Sequence, residues 1–313
     1  MSAPDPARTP LLVVVDPVAR LTDGESVRIA RDVLCAGAPG VKVCLPEDPE
    51  ETARALARRG SRRPVLVGND RALLRAVQFL HRDRGLPEAA LAVVPVGAAP
   101  TVALTRGLGV PADAVSAARA VLGGGERRLD LLVDDDGGVV LGGLHIPASP
   151  GAGRRGVPPA RDAGAHGDGR SPWRRVCRSF ARTVLPQGMR GGEDRPGELL
   201  TEPAEREQVA QALRVEADGR VLADLDLPVT EVSVRTAAGP GLAEVTVRAG
   251  AGAGSGAGSG AGAPDGPVVE RARVVTVSGT AFRYRADARV GGPVRTRTWT
   301  VVPEGWRLVL PGA

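Results

Sequence analysis

Apolar residues in the first half of the chain fall in short continuous runs separated by amphipathic stretches. Leu11–Val15 is apolar at every position, the pattern of a strand buried on both faces; Pro64–Val67 and Ala90–Val96 repeat it, and Val41–Leu45 reads as a short second strand. Between these runs, residues 23–36 carry Val27, Ile29, Val33 and Leu34 at helical spacing. Residues 48–59 open on Asp48 as a cap, with Glu50 and Glu51 in the first turn where the helix dipole favours them. Residues 70–80, 102–108 and 112–122 continue the helical rhythm. Leu129–Val133 and Val139–Ile146 read as two further strands joined through the turn-rich Asp134–Gly138. Strands alternating with helices predict an α/β domain over residues 10–147, a mostly parallel sheet with flanking helices.

The rhythm breaks over 148–210, where Gly, Pro and Arg dominate and a linker is expected. Within it, Ser171 and Pro172 make a helix start, and Trp173, Val176, Cys177, Phe180 and Val184 recur at helical spacing. Arg174, Arg175, Arg178 and Arg182 lie mainly off that stripe, so residues 171–185 predict a basic amphipathic helix. Its apolar stripe either packs on the protein's own body or lies on an anionic membrane surface. From 211 to 313 the pattern changes to β-branched and alternating segments, at 212–216, 230–236, 244–248, 272–277, 281–285, 297–302 and 307–310. Turn signals at Asp218–Gly219, Gly291–Gly292 and Pro303–Gly305 separate them, which predicts an all-β sandwich. An Ala/Gly/Ser insertion at 249–263 interrupts it, with a composition that cannot bury a core.

A length of 313 residues suits two domains of ordinary size. Aromatic residues make up only 2% of the chain, so the cores are built from Val, Leu and Ala. The net charge of +5 is local: residues 148–198 hold ten Arg and five acidic residues, and the remainder balances at 31 of each sign. Such an excess either attracts an anionic partner or solvates a linker. Neither the cysteines (Cys35, Cys44, Cys177) nor the histidines (His81, His145, His166) have metal-like spacing, and no metal site is expected. Asp134-Asp135-Asp136 either binds a cation or solvates a hairpin tip. The polar, proline-rich start lacks the apolar core of a signal peptide, and no stretch approaches the ~20 apolar residues of a membrane span. The expected location is cytoplasmic, with any membrane contact peripheral at the inner face.

Several landmarks follow one another in a recognisable order. Leu11–Val15 leads into Asp16-Pro17; Val65-Leu66-Val67 leads into Gly68-Asn69-Asp70-Arg71-Ala72; Val93-Val94-Pro95-Val96-Gly97 leads to a helix closed by Arg106-Gly107-Leu108-Gly109-Val110-Pro111. Arg127-Arg128-Leu129-Asp130-Leu131, the turn at Val215–Gly219, and the closing segment Thr298–Pro311 come after. In this order and spacing the chain resembles the diacylglycerol kinase family, which includes sphingosine kinases and bacterial lipid kinases. Asp16-Pro17 corresponds to that family's Asn-Pro, 68–72 to its GGDGT turn, and Asp287-Ala288-Arg289 to its Asp-Gly-Glu. The resemblance implies a diacylglycerol/NAD-kinase-like pair of domains, with nucleotide in the cleft between them.

A kinase of this kind holds a triphosphate and steers a lipid hydroxyl to its γ-phosphate, mostly by positioning and charge neutralisation. The resemblance assigns catalysis to Asp70 and Asp287, and cofactor contacts to Asp16, Gly68, Asn69, Arg71 and Gly97, with ATP and Mg²⁺ as the cofactors. It implies a lipid substrate or an anionic membrane surface as partner rather than nucleic acid, and leaves a homodimer open. The departures matter for turnover. Arg71 fills space that a glycine leaves open, Ala72 replaces the threonine, and residues 98–103 lack an Asn-Asp pair. Arg289 stands where the family carries its base, and a guanidinium accepts no proton at neutral pH. Asp287 or Glu304 is the alternative base. A lipid kinase with weak or lost turnover is therefore expected, the alternatives being a non-catalytic nucleotide- or lipid-binding protein or a peripheral membrane protein.

Overall fold

A computed structural model of the chain describes residues 9–147, 210–237, 241–250 and 266–312. The basic helix at 171–185, the rest of the linker up to 209, and most of the insertion at 249–263 lie outside the described residues.

Four apolar runs become β1 (Leu11–Val15), β2 (Lys42–Cys44), β3 (Arg63–Gly68) and β4 (Ala90–Pro95). They pair in parallel in the order β2-β1-β3-β4. Every residue of β1, β3 and β4 is buried, as continuous apolar strands covered on both faces require. The covering helices are α1 (Pro17–Thr22), α2 (Gly24–Gly37), α3 (Pro49–Ala57), α4 (Asp70–Arg82), α5 (Ala103–Gly107) and α6 (Ala114–Gly123). α2 packs on α6, and α3 on α4. The longer helices start where the sequence supplies an acceptor. Asp23 accepts from the Ser26 N–H at 3.0 Å, Asp48 from Glu51 at 2.7 Å, and Asp113 from Ser116 at 2.8 Å. The chain leaves β1 toward β2 on one side, and then returns past β1 to β3 and β4 on the other. The direction reverses between β1 and β3, and in sheets of this type the crevice outside the carboxyl ends of the strands at such a reversal is where ligands bind.

The remaining strands build the sandwich. They are β5 (Gly125–Asp134), β6 (Val139–Val140), β7 (Leu144–Ile146), β8 (Gln211–Ala217), β9 (Arg220–Ala223), β10 (Pro228–Thr236), β11 (Ala243–Ala249), β12 (Val268–Ala272), β13 (Val274–Ala286) and β14 (Arg289–Leu310). Two strands that the sequence pattern groups with the α/β elements pair instead with the C-terminal ones, and β6 joins them through β5. β7 lies between β10 and β13, and β5 runs antiparallel to β14. The physical reason is burial: Leu132, Val140, Leu144 and Ile146 share one core with Leu213, Val215, Val232 and Trp299. The segments read as separate strands at 297–302 and 307–310 are one strand, β14, with a register shift between Val302 and Trp306. Glu304 takes a φ of 50° at that irregularity. Beyond it, β14 joins β4 in parallel through Arg307 and Leu308, and so links the sandwich to the parallel sheet. Among the described residues, no helix is long and apolar enough to cross a membrane.

One titratable group sits inside this sheet. His145, in β7, is opposite Ser233 on one side and Arg285 on the other, and its Nδ1 is buried without a partner. Burial lowers its pKa below the ordinary histidine value, and the charges of Arg235 and Arg285 add to the effect against Glu231. The folded pKa is the lower one, so the unfolded chain takes up a proton first and stability falls as pH drops through about 6.5. Urea unfolding is expected to give a lower stability at about pH 5.5 than at about pH 7.5, and His145→Gln to reduce that difference.

Candidate functional site

Each strand of the crevice ends on a residue fixed by its neighbours. β1 runs into Asp16, whose N–H continues the pairing to the Val67 carbonyl at 2.9 Å. The Asp16 carboxylate is only 4% exposed. Its Oδ1 accepts from Arg75 Nη2 at 2.6 Å, and its Oδ2 is buried without a partner among the described residues. Beside it, β3 ends on Gly68, where a Cβ would stand 2.9 Å from Asp16 Cβ and 3.1 Å from Ala72 Cβ. Any side chain there would drive the two strand ends apart. Gly97 follows β4 with φ +142°, and a Cβ on it would reach Thr101 Oγ1 at 2.7 Å. The same position faces Asn69 Cβ at 3.7 Å, which brings the turns after β3 and β4 together. A cavity of about 300 Å³ opens beside Gly97, between the N-termini of α2 and α6, lined in part by Asp23, Ser26, Val96 and Asp113.

Asn69 and Asp70 divide two capping tasks. Asp70 has the character of a helix cap in the sequence, but α4 is capped by Asn69, whose Oδ1 accepts from the Ala72 N–H at 3.1 Å. Asp70 is 3% exposed and turned toward α5. Its Oδ2 accepts from the Leu104 N–H at 2.8 Å, and its Oδ1 from the Thr105 N–H and Oγ1, both at 3.0 Å. α5 has no side-chain cap of its own, so Asp70 supplies one from across the fold. Arg71 is exposed, at the start of α4.

Asp287 is occupied in a similar way. It lies in the turn from β13 to β14 with φ 50°, a conformation that Asp tolerates better than most residues. Oδ2 accepts from the Leu141 N–H at 2.8 Å, and Oδ1 from Gly142 at 2.8 Å and Gly143 at 3.1 Å. Burial pushes this carboxyl's pKa up, while the three N–H groups and the charge of Arg289 pull it down. Leu104 connects the two carboxylates: its N–H binds Asp70, and its side chain is 2.8 Å from where a Cβ on Gly142 would be. Glu304 is elsewhere, at the irregularity in β14, bonded to Arg128 Nη1 at 3.0 Å. The acidic run at the β5–β6 hairpin holds Arg297, whose Nη1 is 2.5 Å from both Asp135 Oδ1 and Asp136 Oδ2.

Three further residues of α4 lie outside the family's motifs. Arg75 and Arg82 share one face of α4 with Arg71, a spacing readable in the sequence as i, i+4 and i+11. Gln78 on the same helix donates to the Gly137 carbonyl at 2.7 Å and accepts from the Val139 N–H at 3.0 Å, clamping α4 to the β5–β6 hairpin. Nothing in the local pattern marks that glutamine. Among the described residues, no three His, Cys, Asp or Glu side chains gather as metal ligands.

Neither a family model nor a curated protein matches the sequence. Solved structures do. Two structures of a putative diacylglycerol kinase from Bacillus anthracis str. Sterne align with TM-scores of 0.63 at 12% identity, over 96% of this chain and 97% and 96% of theirs. A third, a diacylglycerol kinase from the same organism, aligns with a TM-score of 0.61 at 12% identity, over 96% of each chain. The chain has a diacylglycerol-kinase-like fold.

The bonding of the two aspartates generates a stability test. Asp70→Ala removes three hydrogen bonds and uncaps α5, at a cost of about 2–4 kcal/mol, and Asp70→Asn costs less because one acceptor oxygen remains. Asp287→Ala strands three N–H groups and strains the turn, at a similar cost of about 2–4 kcal/mol, whereas Asp287→Asn keeps both an acceptor and the tolerated φ. Urea unfolding of the four variants checks the ordering. Alanine variants as stable as the parent would mean that these bonds do not hold the two turns.

Proposed function

We propose that this diacylglycerol-kinase-like chain binds a phosphorylated ligand, a nucleotide or a phospholipid, in the crevice beside β1 and β3, and that phosphoryl transfer to a lipid hydroxyl is weak or lost. The observation that carries the reading is the state of its carboxylates. A kinase needs carboxylates free to orient a metal ion or to take a proton from the acceptor hydroxyl. Here Asp70 spends both oxygens on α5, Asp287 spends both on residues 141–143, and Asp16 is paired with Arg75.

Mg²⁺ fits this donor set poorly. A hard cation takes several oxygen ligands with little competing bonding, and the exposed charges on α4 beside these carboxylates are the guanidinium groups of Arg71 and Arg75. Those groups suit phosphate oxygens directly, as forked donors with a fixed positive charge. The glycines at 68 and 97 let the turns after β3 and β4 pack closely against Asp16, Ala72 and Thr101. Fold likeness argues for the ligand class, and the side chains argue against efficient chemistry.

Incubation of the purified protein with Mg·ATP labelled at the γ-phosphate and a total lipid extract is expected to give little or no labelled lipid. Calorimetric titration with ATP is expected to show binding. Vigorous labelling that disappears in a folded Asp287→Asn variant would overturn this reading in favour of an active kinase. Absence of both labelling and binding, for ATP and for phospholipid vesicles alike, would remove the ligand.

A further inference from the structure

A groove of about 330 Å³ lies between α3 and β2, the edge strand of the parallel sheet. Strand position and residue size together leave it open. Among the described residues, β2 pairs with β1 on one side and with nothing on the other. Lys42 and Cys44, two apart in β2, line the groove from one face of the strand. From α3 and its C-cap come Glu51, Arg54, Ala55 and Arg58, the i, i+3, i+4, i+7 spacing of one helix face. Where a long apolar side chain on that face would close the gap, the sequence supplies Ala55. Leu12 of β1, only 2% exposed, therefore forms the base of the groove. Leu45, 52% exposed, stands at one end beside Pro46, whose carbonyl is held by Arg20 Nη2 at 2.9 Å. Neither Asp16, Gly68, Asp70 nor Gly97 lines this groove, so it is separate from the crevice at the strand ends.

The walls of the groove are cationic. Lys42, Arg54 and Arg58 face one acid, Glu51. Glu51 is committed to the start of α3: one carboxylate oxygen accepts from the Glu47 N–H at 2.9 Å, and the other is 3.8 Å from Arg54 Nη2. Among the described residues, Lys42 and Arg58 enter no ion pair. Three cations less one carboxylate leave a net charge of +2 around an apolar base of Leu12, Cys44 and Ala55. An apolar base alone accepts any hydrophobic group, and cationic walls alone attract any anion. The combination selects a molecule that has both, because the apolar body displaces water from the base while the head group meets fixed positive charge. The volume is at the low end of small-molecule sites, which span roughly 300–1,000 Å³, so the body is a short chain rather than the paired long chains of a membrane lipid.

We propose that the groove between α3 and β2 binds an amphipathic organic anion, a short apolar chain that ends in a carboxylate or a phosphate. The chain lies on Leu12 and Ala55, and the head group meets the Lys42, Arg54 and Arg58 side chains. This is a second ligand site, and it stands whether or not a nucleotide occupies the crevice.

Lys42 is the chain's single lysine and Cys44 is one of three cysteines, so the groove carries two chemical reporters of its own. Reductive methylation with isotope-labelled formaldehyde keeps the Lys42 charge and gives one side-chain amine signal by NMR. Titration of the full chain with octanoate is expected to shift that signal. Acetate, a head without a body, and octanol, a body without a head, are each expected to bind at least about tenfold more weakly. Octyl phosphate distinguishes the head groups: tighter binding than octanoate assigns the phosphate, and weaker binding the carboxylate. Octanoate is also expected to slow alkylation of Cys44, read peptide by peptide by mass spectrometry, and to leave Cys35, exposed on α2, unaffected. Arg58→Ala is expected to reduce affinity about tenfold, the scale of one lost charge-assisted hydrogen bond. Ala55→Leu fills the base with a good helix former, changes no charge, and is expected to abolish binding. Arg119→Ala, which removes a charge from an exposed site on α6, should leave affinity unchanged. Equal binding of acetate and octanoate would reduce the groove to charge attraction and overturn the proposal. Octanoate binding that survives Ala55→Leu, or that leaves Cys44 unprotected, would do the same. Protection of Cys44 that grows with protein concentration in the absence of octanoate would assign the groove to a second copy of the chain instead. Should Ala55→Leu fail to fold, Arg58→Ala, at an exposed position, and the protection of Cys44 carry the comparison.

Discussion

One strand holds the described residues together. β14 hydrogen-bonds to β13 along its first half, to β5 along its second, and to β4 near its end. It places Trp299 in the sandwich core and Trp306 in the core of the α/β layers, both fully buried, with the irregularity at 302–306 between them. Emptying either tryptophan site costs a domain about 3–5 kcal/mol, a large part of an ordinary folding stability. With aromatics at 2% of the chain, no second residue of that size stands ready to fill either gap. The positions of the β13–β14 turn and of α4 follow from this strand, because Arg289 is its first residue and its last pairs extend the sheet that α4 covers.

The crevice inherits its character from backbone accounting. Short helices and tight turns leave N–H groups that must find acceptors. α5 has no cap of its own and takes Asp70; the 141–143 loop has three N–H groups pointing one way and takes Asp287. A carboxylate used in this manner is held firmly and is spent as a ligand or base. Arg71 and Arg82, exposed on α4, take no part in that accounting.

The α/β half was largely legible in the sequence because continuous apolar runs and acidic caps are local signals, and β1, β3, β4 and the cap at Asp48 lie where those signals predict. The pairing of β5–β7 was not legible, since alternation tells which face of a strand is apolar but not which core receives it. At the site, motif spacing located the two turns around Asp70 and Asp287 but not what each carboxylate does. Asp70 reads as a cap for its own helix, and only the fold brings Leu104 and Thr105 against it from more than thirty residues away. Arg75 and Arg82 are visible as a helical row, but only the fold brings Asp16 against Arg75 from 59 residues away.

This division bears on how remnants of a motif should be weighed. Gly68 is needed because Asp16 and Ala72 leave no room for a Cβ, and Gly97 because its φ excludes most side chains. Asn69 caps a helix, and Asp70 caps another. Each of these matches to the family's turn persists for a reason that folding alone supplies, so their presence carries little information about a ligand. Arg71 is different: it is exposed, and folding asks nothing of it. Arg289 lies open on the turn for the same lack of a structural task, apart from its effect on Asp287. Residues under no folding constraint are the ones at which a substitution tests binding without a loss of stability.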